Sequence, residues 1–84
     1  MIQDTPFKKI EIEPMLYGDY RISVWDDDNE PLLDKPYFCR GLQSAYLTAT
    51  TVRDEMFKDL KIYIRVDSDK LIEADELITN LKTL

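Results

Sequence analysis

Three acidic side chains, Asp26, Asp28 and Glu30, alternate along a short polar segment and could supply oxygen ligands to a calcium ion. A calcium loop of the EF-hand type needs a glycine at its sixth position and a glutamate at its twelfth. Pro31 stands where that glycine is required, and no glutamate follows at the required spacing. Asp and Asn suit tight turns, so the segment is predicted to be a solvated hairpin tip, and no metal is expected.

The second residue type with reactive chemistry is the single cysteine, Cys39, which lies beside Arg40. A neighbouring positive charge favours the thiolate form that acts as a nucleophile. Catalytic cysteines also need a base or a second thiol, and the chain has no histidine and no other cysteine. A buried, inert thiol is therefore the favoured interpretation, since free cysteine is among the most frequently buried residues.

The rest of the sequence offers little further catalytic chemistry. Without histidine, the commonest general base and the commonest zinc ligand are both missing, and the two glycines form no phosphate-binding motif. Adjacent acids such as Asp54 and Glu55 diverge by roughly 100° on a helix, so they do not form an acid–base pair. We expect a protein that is not an enzyme and that uses no cofactor.

These residues are positioned by a chain of 84 residues, which has room for one hydrophobic core. We therefore expect a single small α+β domain over residues 1–84. Alternating apolar and polar residues predict strands over 7–16, 20–25 and 60–66. Another strand is predicted within 31–39, at an edge of the sheet, because its two prolines cannot donate ladder hydrogen bonds.

Apolar residues at helical spacing predict two helices. The first follows Gly41 and ends near Lys58. The second begins after a capping residue, Asp67 or Ser68. Its apolar stripe consists of Leu71, Ala74, Leu77, Ile78 and Leu81. The predicted order is β-β-β-α-β-α, and since each helix has one apolar stripe, we expect a mostly antiparallel sheet with both helices on one face.

Helices on one face leave the other face of the sheet open. The side chains predicted to point there are Lys9, Glu11, Glu13, Arg21, Ser23, Trp25, Lys61, Tyr63 and Arg65. Trp, Tyr and Arg are enriched at protein interfaces. The residues predicted to bind a partner on this face are Arg21, Trp25, Lys61, Tyr63 and Arg65. The alternative is a solvated face on which Arg21 and Lys61 simply cover the aromatic rings.

A second candidate surface is acidic. Seventeen acidic residues against eleven basic ones give a net charge of -6, which disfavours direct binding to nucleic acid. The acidic residues predicted to bind a partner are Asp26, Asp27, Asp28, Glu30, Asp54 and Glu55. Carboxylates on loops and helices can imitate the phosphates of a duplex and occupy a basic groove, as small phage-encoded inhibitors of host defence, of the anti-CRISPR type, do. The alternative is a surface that only keeps the protein soluble.

The function expected from these surfaces is that of a small acidic inhibitor or adaptor. Its partner would be a larger protein, either basic or nucleic-acid-handling. A homo-oligomer joined through the open face is the first alternative, and single-stranded RNA binding, with stacking on Trp25 and Tyr63, is a weaker one. With no disulfide, no signal peptide and no long apolar run in the sequence, we expect a cytoplasmic protein without a membrane partner.

Overall fold

The computed structural model describes residues 7–74, which form a five-stranded sheet with one helix packed against it. The strands are β1 (Lys9–Pro14), β2 (Asp19–Trp25), β3 (Tyr37–Arg40), β4 (Ile62–Asp67) and β5 (Lys70–Glu73), and the helix is α1 (Leu42–Met56). A short 3₁₀ turn, Leu16–Gly18, joins β1 to β2. The fold class is therefore mixed α+β, as the sequence predicts.

The order of strands across the sheet is β3-β2-β1-β4-β5. Within the described part of the chain, β1–β2, β2–β3 and β4–β5 pair antiparallel, whereas β1–β4 is parallel. The parallel pair arises because α1 carries the chain back along the sheet before β4 begins, so β4 runs in the same direction as β1. The predicted mostly antiparallel sheet with two helices is matched only in part.

The predicted second helix is wrong over its first residues, which form β5 and pair with β4. Asp67 and Ser68 lie at the β4–β5 turn instead of capping a helix, and the Ser68 N–H donates to Asp67 Oδ1 at 2.8 Å. Ile72 pairs with Ile64, which packs in the core, so the neighbouring Leu71 faces the opposite side of the sheet. The rest of the predicted helix, 75–84, lies outside the described residues.

The core lies between one face of the sheet and α1. Its fully buried residues are Ile10, Ile12, Ile22, Val24 and Ile62 on the strands, Ala45 and Ala49 on the helix, and Ala74. The inward residues of each strand are two positions apart, and those of α1 follow the helical stripe. The strand parity and the helix predicted after Gly41 are thus confirmed, with the helix ending at Met56.

The segment predicted as an edge strand within 31–39 is only partly extended. Pro31 bridges to Trp25, and the Leu32 N–H donates to the Val24 carbonyl at 2.8 Å. Residues 33–36 then bulge away from the ladder with β2, and β3 begins at Tyr37. The prediction that this strand lies at an edge is confirmed, because β3 is the outermost strand on its side of the described sheet. The bulge matters below because it leaves a cleft beside β2.

Candidate functional site

The face of the sheet opposite α1, for which we keep the name open face, is not open at its centre as predicted, because Lys9 and Glu11 on β1 are buried. It carries two ion pairs centred on β1. The Arg65 Nε donates to Glu11 Oε2 at 2.6 Å, and Arg21 pairs with Glu13. Glu11 is only 6% exposed, and the hydrogen bond to it raises the pKa of the Arg65 guanidinium. Two of the arginines predicted for partner binding are therefore held by carboxylates on the neighbouring central strand.

The aromatic and lysine side chains of this face are also engaged. Tyr63 packs edge-to-face against Phe7, with ring centroids 5.3 Å apart, and the Lys9 Nζ lies 4.6 Å from the centre of the Phe7 ring. Burial lowers the pKa of Lys9. The exposed Lys61 Nζ is 3.6 Å from a Glu73 oxygen. Arg21 and Lys61 thus pair with carboxylates, and the cation that lies over a ring is Lys9, which differs from the alternative in which Arg21 and Lys61 cover the rings. A role of these side chains in partner binding stays a prediction.

A cleft opens where the 33–36 bulge leaves β2. It has a volume of about 230 Å³ and is lined by Arg21, Ser23, Val24, Trp25, Pro31, Leu33, Asp34 and Pro36. Trp25 Nε1 and Arg21 Nε are both buried, and neither has a hydrogen-bond partner in the part of the chain described. Both residues line the cleft, whereas these two nitrogen atoms themselves are not accessible to solvent.

The acidic segment after β2 is a hairpin tip, as predicted. Asp26 Oδ1 accepts hydrogen bonds from the backbone N–H groups of Asp28 and Glu30, both at 2.9 Å, and Asn29 has a φ of 63°. These carboxylate contacts stabilise the turn. Residues 7–74 contain no group of three or more side chains arranged to hold a metal ion.

The fold brings the two predicted acidic groups to the same end of the sheet. The tip lies beside the start of β1, because the Lys8 N–H donates to Asp27 Oδ1 at 3.2 Å. Asp54 and Glu55 occupy the last turn of α1, which leads to β4, and β4 begins beside β1. We call this surface the acidic end; it consists of Asp26, Asp27, Asp28, Glu30, Asp54 and Glu55. All six are exposed except Asp26, which is half-buried.

Sequence reasoning missed an exposed apolar surface elsewhere on the molecule. We call it the apolar corner; it consists of Met15, Leu16 and Tyr17 in the β1–β2 turn and of Tyr37 and Phe38, which point to opposite faces of β3. Tyr17 is 90% exposed and Phe38 is 65% exposed. The turn adjoins the end of β3, since the Gly41 N–H donates to the Gly18 carbonyl at 3.0 Å. The only sequence signal was an apolar run at a turn, where polar residues are usual.

The outer side of β3 is a free sheet edge, since no other described strand pairs with it. Backbone groups of an antiparallel strand point alternately towards and away from its partner. The Gly41 N–H points towards β2, where it donates to the Gly18 carbonyl. Counting back along β3 by alternate residues, the N–H and C=O groups of Phe38 therefore point away from β2. Such an edge can accept a further strand, although Pro36 and the four-residue length of β3 limit its extent.

Tyr17 holds a backbone conformation that disfavours it. Its φ is 62° and that of Gly18 is 80°, the pattern of a type I′ turn, in which Asn-Gly is the preferred pair. We expect Tyr17→Asn to raise the free energy of unfolding by about 1 kcal/mol, measured by urea denaturation, because asparagine tolerates positive φ. Tyr17→Ala removes the ring and keeps the strain, so it should give no gain. Equal stability of the two variants would contradict this explanation.

Comparison with protein-family models, with curated proteins and with solved structures finds no match. Among the described residues, no helix is both long and apolar enough to cross a membrane. A proposal about function therefore rests on the apolar corner and the acidic end.

Proposed function

We propose that the protein is a protein-interaction module that binds a larger protein through the apolar corner, as an inhibitor or an adaptor. The observation that carries this proposal is the exposure of Tyr17 and Phe38, at 90% and 65%. Large exposed apolar side chains on a small domain favour a contact site, because covering apolar surface recovers about 25 cal/mol per Å². Tyrosine is also among the residue types that dominate binding energy at interfaces.

Two further features of the apolar corner support binding. Tyr17 has a strained backbone and its ring is 90% exposed, so this side chain contributes little to stability and is available to a partner. The free edge of β3 adds main-chain donors and acceptors beside Phe38, so a strand of the partner can extend the sheet there. The side chains then supply the contact area and the edge sets the direction of the bound strand.

The acidic end supports a basic partner. Six carboxylates at one end of the sheet, in a chain of net charge -6, attract a positively charged surface and speed its encounter with this protein. In the narrowest form of the proposal, these carboxylates imitate nucleic acid and block a basic groove. That form rests on the charge distribution alone.

The second candidate is a homo-oligomer in which the β3 edges of two copies pair. The free edge favours it. The net charge of each copy opposes it, because two chains of charge -6 repel each other at low salt. Gel filtration with light scattering separates the two proposals, since a stable dimer at tens of micromolar would favour the second.

The test is partner capture from the cells that produce this protein, with wild type and two variants as bait. In the first variant, Tyr17→Asn and Phe38→Ser remove the two most prominent rings of the apolar corner. In the matched control, Leu47→Ser removes an apolar side chain that is 58% exposed on α1, outside the corner. We expect the corner variant to lose the captured protein and the control to retain it.

Two outcomes would contradict the proposal. Equal capture by wild type and the corner variant would show that the apolar corner is not the contact surface. Binding that does not weaken between 0.15 and about 0.5 M salt would exclude a steering role for the acidic end, since screening shortens the range of charge attraction to a few ångströms.

A further inference from the structure

We infer that the free edge of β3 binds an extended partner segment antiparallel, with an acidic residue opposite Arg40 and an apolar residue, two positions later in the segment, opposite Phe38. This inference rests on the proposed function and deepens it, because it names the chemistry of the segment that docks at the apolar corner. Its basis is the set of main-chain groups that β3 leaves unpaired, together with the two exposed side chains beside them.

The edge offers main-chain hydrogen bonds at two residues. By the alternation that the Gly41 N–H establishes, the N–H and C=O groups of Phe38 and Arg40 point away from β2, and no other described strand pairs with them. Both residues are exposed. Pro36, before the strand, has no N–H, and α1 follows Gly41, so the ladder cannot extend further in either direction. A partner segment therefore meets the edge with two residues and one residue between them.

The shortness of the edge favours an antiparallel segment. In an antiparallel pair, the N–H and C=O groups of one residue both bond to the residue directly opposite, so two residues of the partner satisfy every outward group of Phe38 and Arg40. In a parallel pair, these groups bond to the neighbours of the opposite residue and need a longer segment. Antiparallel pairing is also slightly more stable per residue.

Arg40 selects an acidic residue. Its side chain is 81% exposed, and its one ion pair among the described residues is a 3.3 Å contact of Nε with Asp19 Oδ1 on the neighbouring β2. The guanidinium has further N–H donors for a second carboxylate. Asp19 lies about 9–10 Å from the position of a partner strand, since neighbouring strands are about 4.8 Å apart. Cross-strand pairs of opposite charge stabilise a sheet, and Arg21 and Glu13 already form such a pair on this face.

Phe38 selects an apolar residue. Its ring is 65% exposed, and its cross-strand neighbour on β2 is Arg21, which is paired with Glu13. A β-branched or aromatic side chain opposite Phe38 covers the free side of the ring and forms a favourable cross-strand pair. Because β3 runs from Phe38 to Arg40, an antiparallel segment reads acidic residue, any residue, apolar residue from its N-terminus.

The test uses the free protein and short blocked peptides, with threonine at the remaining positions because it favours strands. We expect acetyl-Thr-Glu-Thr-Val-Thr-amide to shift the amide cross-peaks of Phe38 and Arg40 saturably in a ¹H–¹⁵N spectrum, with a dissociation constant on the order of millimolar. The reverse peptide, acetyl-Thr-Val-Thr-Glu-Thr-amide, should bind more weakly by a factor of about five. A peptide with lysine in place of glutamate should also bind more weakly, although a net charge of -6 would favour it if overall charge decided.

N-methylated peptides test the main-chain pairing on the unaltered protein. In the proposed register, the valine N–H donates to the Phe38 carbonyl, whereas the N–H of the central threonine points away from β3. N-methylation of the valine should therefore abolish the saturable shift. N-methylation of the central threonine is the matched control and should preserve it.

Charge reversal tests the pairing at Arg40. Arg40→Glu should reverse the preference, so that the lysine peptide binds more tightly than the glutamate peptide. The matched control is Lys58→Glu, which makes the same change of charge at an exposed residue beyond the other end of α1 and should keep the preference for glutamate. If Arg40→Glu does not fold, Arg40→Gln replaces it and should remove that preference.

Each contrary result has a definite meaning. A linear, unsaturable shift, equal binding of the two N-methylated peptides, or tighter binding of the reverse peptide would overturn the inference. Slow hydrogen exchange at the Phe38 and Arg40 amides of the free protein would also overturn it, because the edge would then be covered already, by a second copy or by the chain itself.

The capture experiment on the apolar corner is decided separately, by whether the corner variant loses the captured protein. Loss of capture together with no saturable peptide binding would retain the proposed function and reject the partner strand. Conversely, capture that is unchanged by the corner variant, with saturable binding of the glutamate peptide, would reject the proposed contact surface and retain the edge of β3 as a peptide-binding site.

Discussion

Ile12→Ala is expected to lower the free energy of unfolding by about 3–4 kcal/mol, a large share of the about 5–15 kcal/mol available to a small domain. Ile12 is fully buried in the central strand and lies between Ile22 on β2 and Ile64 on β4. The cavity cannot close, because hydrogen bonds to strands on both sides fix the position of β1. Urea denaturation followed by circular dichroism measures the loss.

The matched control is Val66→Ala, on β4 and 46% exposed, which should cost less than about 0.5 kcal/mol. Both variants should unfold with the same dependence on urea as wild type, since neither changes the surface exposed on unfolding. Equal losses for Ile12→Ala and Val66→Ala would show that β1 is not the centre of the core.

The success of sequence reasoning on β1, β2, β4 and α1 has a physical reason. β2, β4 and α1 each bury one face, so their burial appears in the sequence as a period of two or of 3.6. β1 shows the same alternation of apolar and charged residues, although its charged residues Lys9 and Glu11 are buried as well. Ile62 and Ile64 alternate with polar residues, and Ala45, Ala49 and Val52 follow one stripe. No knowledge of neighbouring elements is needed to recognise either pattern.

β5 was mistaken for a helix because its sequence fits both patterns. Leu71 and Ile72 are adjacent apolar residues, which a helical stripe and a two-sided strand accommodate equally well. What decides between them is the two-residue turn at Ser68 and Asp69 and the pairing with β4. That pairing, like the parallel one between β1 and β4, depends on residues distant in sequence, so it leaves no local signal.

At the candidate sites too, local sequence patterns predict which way a side chain points, but they do not predict contacts between residues distant in sequence. The alternation of apolar and polar residues in the strands predicts that Arg21 and Arg65 point to the open face. The alternation does not predict the ion pair of Arg65 with Glu11, since these two residues are 54 positions apart in the sequence. The exposure of Tyr17 and Phe38 depends on which neighbours the fold leaves uncovered, and composition alone cannot supply that.

The Glu11–Arg65 pair should show the second large effect. We expect Glu11→Met to lower the free energy of unfolding by about 2–3 kcal/mol, because it leaves Arg65, whose side chain is 25% exposed, without its carboxylate partner. Arg65→Met should cost a similar amount, because Glu11 would then be a buried carboxylate with no guanidinium to neutralise it. Urea denaturation of both variants measures the two losses.

The double variant Glu11→Met/Arg65→Met decides how the open face is used. If the pair is a structural unit, two apolar side chains should replace it with a loss of about 1 kcal/mol or less, well below the sum of the single losses. The guanidinium is then committed to the fold, and the apolar corner remains the proposed contact surface. Additive losses would show that Glu11 does not hold Arg65, and the arginines of the open face would again be available to a partner.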